Sequence, residues 1–198
     1  MSPPRPVSLP DGRIWLRLAE PEWEDPFDAW FAAVEGGHWN APDSFPTLYL
    51  HANVGTARMQ IERLLEGTPF TLDDIDDDAY VLVAARLPRD QRCADAVTSA
   101  GLEALGLPRS YPIDSRGRFI GRARCQPIGA RVRDARLRGV WCISGAKRDG
   151  SGRELAWFPA TRRSRARPVW RAPLPLGSWR YARGWTELGL TDQKEPGP

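Results

Sequence analysis

"GGHWNAPDSFPTLYLHANVGTARMQ", Gly36 to Gln60, holds the patterns on which the fold turns. A glycine pair opens it, an aromatic and proline-rich loop follows, and a short apolar run leads into a helix. "TLYLHA" (47–52) reads as a short buried strand. "NVGTARMQIERLLEG" (53–67) is the clearest helix of the chain. Asn53 suits its N-cap. Val54, Ala57, Ile61, Leu64 and Leu65 fall on one stripe, and Gly67 suits its end. The loop between the glycines and the strand combines residues that fix backbone shape with residues that can bind. One of only two histidines, His38, lies in it.

Upstream, "RIWLRL" (13–18) alternates polar and apolar residues and predicts a strand. "EDPFDAWFAAVEGG" (24–37) predicts a short helix, with Pro26 in its first turn and Gly36–Gly37 at its end. Downstream, an acidic turn (73–78) runs into a strand over 79–87. It lacks the ligand order and glycine of a calcium loop, so it reads as a solvated turn. "RCADAVTSAGLEALGLP" (92–108) predicts a helix, as does 121–137, closed by Gly139. "VWCIS" (140–144) and "RELAWFPA" (153–160) predict strands around the turn "GAKRDGSG". Strands and helices mix without regular βαβ alternation, which predicts an α+β fold.

At 198 residues the chain fits one domain with tails. Proline-rich ends predict a flexible N-terminal tail over 1–12 and a C-terminal tail over 186–198, around a single domain at 13–185. No apolar run approaches the roughly 18–20 residues that cross a bilayer. The N-terminus has no basic-then-apolar signal pattern, so a cytoplasmic location is expected. Cys93, Cys125 and Cys142 are odd in number and lack CxxC spacing. They read as reduced, buried thiols, not as a disulfide framework or a metal site.

The net charge of +3 conceals a split. Residues 1–88 carry 6 Lys/Arg and 15 Asp/Glu, whereas residues 89–198 carry 22 and 10. Either the two halves attract each other within one domain, or the basic half meets an anion. The run "RRSRARPVWR" (162–171) and the Trp/Arg-rich tail could also bind nucleic acid by charge and stacking.

Familiar catalytic motifs are missing: no P-loop, dinucleotide fingerprint, HExxH or G-x-S-x-G occurs. The ordered series does resemble a family. Gly36–Gln60, with "RIWLRL" before it and "GARVRDARLRGVWCISGAKRDGSGRELAWF" after it, is similar to the RES-domain proteins, toxins of bacterial toxin–antitoxin pairs. The resemblance covers about residues 13 to 160. It implies an ADP-ribosyltransferase-like fold: a split mixed β-core, flanked by helices, around an NAD cleft. It implies an enzyme that degrades NAD⁺ as substrate, by hydrolysis or phosphorolysis of the nicotinamide–ribose bond, or that modifies a protein. It also implies an Xre-type helix-turn-helix antitoxin as partner, and no metal. Residues beyond 160 are left to cover the cleft or to form a homodimer surface.

Carried over residue by residue, Arg17 matches the family's first-strand arginine, Tyr49 its binding tyrosine and Ser144 its serine. The resemblance thus implies cofactor binding by Arg17, His38, Tyr49 and Ser144, and catalysis by Gln60 and Ser144. Two positions depart: the loop arginine is His38 and the glutamate is Gln60. Other ADP-ribosyltransferases hold ribose with a histidine before a tyrosine strand, a role His38 can fill. Gln60 keeps glutamate's shape but cannot carry charge. Breaking the nicotinamide–ribose bond builds positive charge on the sugar, which a nearby carboxylate stabilises. A degenerate domain that binds without turnover is therefore the alternative. Glu62 lies about 200° around the helix from Gln60 and reads as a partner of Arg58. Arg17 has a second reading, as an outward strand residue facing the acidic segment after it.

Overall fold

The computed structural model describes residues 2–146, 150–160, 166–170, 172–181, 185, 186 and 188. Nine strands among them form one sheet: β1 (Pro6–Ser8), β2 (Ile14–Ala19), β3 (Leu48–His51), β4 (Val81–Arg86), β5 (Arg92–Ala96), β6 (Gly139–Ile143), β7 (Arg153–Trp157), β8 (Arg167–Pro168) and β9 (Leu174–Pro175). The helices are α1 (Trp30–Glu35), α2 (Val54–Leu65), α3 (Ser99–Leu105), α4 (Arg122–Asp134) and α5 (Leu176–Trp179). Strand order is β1-β5-β6-β7-β3-β2-β4-β8, with β9 also paired to β4. The β5–β6 pair is parallel and the others are antiparallel. This is the mixed α+β architecture the sequence predicts.

The sheet is nearly split. β2 and β3 join through a single residue pair, Leu16 with His51, whereas β2 and β4 pair over six residues. Alternation along the strands then sorts the side chains. One face is a continuous core of Trp15, Leu48, Leu50, Val83, Trp141, Leu155 and Trp157. The other face carries two separate cores. On one side, α3, α4 and the loop after α1 cover Val140, Cys142 and Ala156. On the other, α2 and α5 cover Leu16, Leu82 and Ala84. The place where these two cores part is the candidate cleft.

Local rules account for most of the elements. The Asn53 side chain accepts the Thr56 N–H at 2.9 Å, capping α2. Gly36 ends α1 at a φ of 72°, which a glycine adopts without strain. The three cysteines are free and buried. No helix among the described residues is long and apolar enough to cross a membrane.

Pro26 lies before α1, which begins at Trp30, not in its first turn, and two further expectations give way. Residues 6–8 are an edge strand on β5 with Val7 buried, so 1–12 is not a loose tail throughout. The helix expected over 92–108 is a strand followed by a helix. Cys93, Ala94 and Ala96 are wholly buried between β1 and β6, and this pairing overrides their local preference; Thr98 caps α3.

The basic half meets the acidic turn within the domain. Arg180 pairs with Asp77 at 3.2 Å, and the Tyr181 hydroxyl donates to Asp73 at 2.9 Å. Half of the run 162–171 and most of the tail 186–198 lie outside the described residues.

Candidate functional site

The loop of residues 36–47 is a built structure with Asn40 at its centre. Asn40 is fully buried, and its amide donates to the carbonyls of Ala32 in α1 and Phe45. The Tyr49 hydroxyl accepts the Trp39 N–H at 2.8 Å and donates to Asn40 Oδ1 at 2.9 Å. Gly37 sits against the phenol end of that ring: a Cβ there would come 2.3 Å from the Tyr49 oxygen. Burial, opposed by these hydrogen bonds, raises the proton affinity of the hydroxyl above its ordinary value. Tyr49 therefore acts as the clamp of the loop. Tyr49→Phe is expected to leave the Trp39 N–H without its acceptor and to cost about 1–3 kcal/mol, read by urea unfolding.

The clamp fixes His38 over the cleft. Its ring stands edge-on to Trp39, with centroids 5.4 Å apart, and its Nε2 lies 3.4 Å from the Tyr111 hydroxyl. Burial lowers its proton affinity; Glu154 opposes this, while Arg63 and Arg122 reinforce it. His38 is thus neutral at pH 7.

Beneath it, Tyr49 and His51 share one face of β3, and Glu154 of β7 stands directly across from His51. Ser144 follows β6. Its hydroxyl donates to Glu154 Oε1 at 2.6 Å and accepts the Ala146 N–H at 3.1 Å. His51 Nδ1 lies 3.6 Å from the same Oε1. Burial pushes the Glu154 carboxyl up, but the neighbouring His51 and the Ser144 hydroxyl hold it below its ordinary value.

The helix α2 forms the far wall. Thr56 accepts the Arg153 N–H at 3.3 Å, and Arg63 lies over Phe119 at 4.8 Å. Gln60 lies between them at i+4 from Thr56, on the helix stripe that faces this side. Glu62 pairs with Arg58 at 3.3 Å on another face.

Of the residues singled out in the sequence, His38, Tyr49 and Ser144 lie together here, and the helix period puts Gln60 on the stripe that faces them. Arg17 does not lie with them. Its neighbours Trp15 and Ala19 belong to the opposite core, so the strand's pleat carries Arg17 to the other face of the sheet. There it lies 5.2 Å from the Trp23 ring. Burial pulls its guanidinium down to about 10, partly opposed by Asp25 and Asp28. On that face it stands beside the acidic segment that follows β2.

His51, Glu154, Arg63 and Arg122 were not singled out. Period-2 alternation from Tyr49 reaches His51, and Glu154 is the one acid in the strand "RELAW". A separate surface cavity of about 750 Å³ lies among Arg86, Arg89 and Arg167. None of the cleft residues lines it.

No family model matches the chain, and no curated protein matches it. Among solved structures, it is similar to a chain in the crystal structure of the M. tuberculosis MbcT–MbcA toxin–antitoxin complex. The two are 20% identical over 88% of this chain and 90% of that one, with a TM-score of 0.68. At that identity the likeness establishes a shared fold.

Proposed function

We propose that this protein is the toxin of a toxin–antitoxin pair and acts by breaking the nicotinamide–ribose bond of NAD⁺. The observation that carries this reading is the gathering of His38, Ser144 and the partly buried Glu154 carboxylate, with Gln60 on the helix stripe that faces them. The fold, shared with a chain of a toxin–antitoxin complex, and the ordered RES-like series support it.

The chemistry fits the residues present. Neutral His38 can hydrogen-bond a ribose hydroxyl. Arg63 and Arg122 offer charge to the pyrophosphate. Buried walls around the cleft strengthen every electrostatic contact made inside it. The partner is a protein antitoxin, of the helix-turn-helix type that the RES resemblance implies. Its binding would cover the cleft or hold it out of register.

Incubating the purified protein with NAD⁺, with and without phosphate, is expected to release nicotinamide above a heat-treated control. No release under either condition would overturn the catalytic reading. Gln60, standing where the family has glutamate, favours a second reading: binding without turnover. NAD⁺ binding by calorimetry in a sample that releases no nicotinamide would support it.

A further inference from the structure

We infer that Glu154, on the sheet, is the carboxylate that faces the reacting sugar, in place of the charge that Gln60 on the helix cannot carry. This rests on the proposed NAD⁺ cleavage. Gln60 gives the helix wall no carboxylate at that position. Glu154 rises from the floor of the same cleft, opposite His51 on one side and Cys142 on the other.

Its surroundings are those of a held anion. A hydroxyl–carboxylate distance of 2.6 Å lies in the range of charge-assisted bonds. Ser144 and His51 both approach Oε1. No hydrogen bond to Oε2 is made among the described residues, and the side chain is 23% exposed. The carboxylate thus keeps a partly open side. The ordinary carboxylates nearby are committed elsewhere: Glu62 pairs with Arg58.

The step balances without a further reactant. The bond from ribose C1′ to the nicotinamide nitrogen breaks, and its electron pair leaves with neutral nicotinamide. The positive charge passes to the sugar, where Glu154 opposes it across the cleft. Water adds at C1′ and loses one proton to solvent, giving ADP-ribose. Ser144 and His51 are positioning residues in this scheme: they fix Oε1 and keep the group ionised.

The test compares nicotinamide release by the wild-type protein, Glu154→Gln and Glu62→Gln at saturating NAD⁺, with NAD⁺ affinity measured by calorimetry. Glu154→Gln is expected to lose about 10²–10⁴-fold in kcat, with affinity changed less than about ten-fold, the loss falling on turnover. Glu62→Gln is expected to match the wild type. Wild-type release that survives Glu154→Gln within ten-fold overturns this inference and leaves the proposed function standing. No wild-type release overturns both. Thermal melting of the same samples reads folding. If Glu154→Gln does not fold, Glu154→Asp keeps the charge but draws it back by one methylene. A ten-fold or larger loss in kcat then supports the assignment, and an unchanged kcat overturns it.

Discussion

Gly129→Ala is expected to cost the protein about 3 kcal/mol or more, the upper end for overpacking a core, and to suppress nicotinamide release with it. A Cβ at Gly129 would lie 1.7 Å from the carbonyl oxygen of Trp39 and 2.8 Å from its carbonyl carbon. Those are backbone atoms and cannot rotate aside. Trp39 is almost wholly buried, and its neighbour Gly37 accepts a bond from Gln126 of the same helix at 3.0 Å. The added methyl would force α4 away from the loop that fixes His38. Urea unfolding of the variant would show the loss as a lower midpoint. A midpoint equal to that of the wild type would mean that α4 does not press on the loop as described. The prediction joins one helix glycine to the candidate site through a single close approach.

That approach was not legible in the sequence. Gly129 reads as one more residue of a helical pattern, and nothing local marks it. What was legible is the part of the fold written in local rules. Asn53 announced α2 because a cap acts three residues away. Gly36 announced the end of α1 because only glycine takes that φ without strain. An alternating run announced β2, and short apolar runs announced β3 and β6. The elements that failed depend on distant partners. β1 is three residues long and exists through its pairing with β5. The strand β5, with small residues in its middle, exists because β1 and β6 flank it.

The site divides in the same way. Tyr49, His38 and Ser144 were found by order along the chain. Arg17 was drawn in by the same order, and the pleat places it on the other face, since one residue's shift along a strand changes the face. Glu154 was overlooked because its meaning is pairwise. A glutamate in "RELAW" is unremarkable until β7 lies between β3 and β6. Only that topology brings His51 and Ser144 onto one carboxylate oxygen. Gln60 was visible in the sequence; the carboxylate on β7 beside His51 and Ser144 was not.

The C-terminal segment, which the sequence left between cover and dimer surface, leads to the second large effect. Trp179→Ala is expected to cost about 3–5 kcal/mol, the range for truncating a buried tryptophan. For a domain of this size that is a fall in Tm of roughly 6–20 °C. Trp179 is fully buried in the core with Leu16, Ile61, Leu82 and Ala84, and its indole N–H donates to the Leu174 carbonyl at 3.1 Å. It packs with α2 on the same face of the half-sheet, so its loss would also loosen the helix that carries Gln60. The charged contacts of the same segment weigh much less. Asp77, facing Arg180, is 69% exposed, and an exposed pair contributes about 0–1 kcal/mol. Asp77→Asn should therefore shift the melt by about 4 °C at most. If Trp179→Ala melted no lower than Asp77→Asn, the segment would be an appendage held by surface charge. A separation of many degrees would make residues 174–181 part of the domain's core and would place the wall of the cleft under their support.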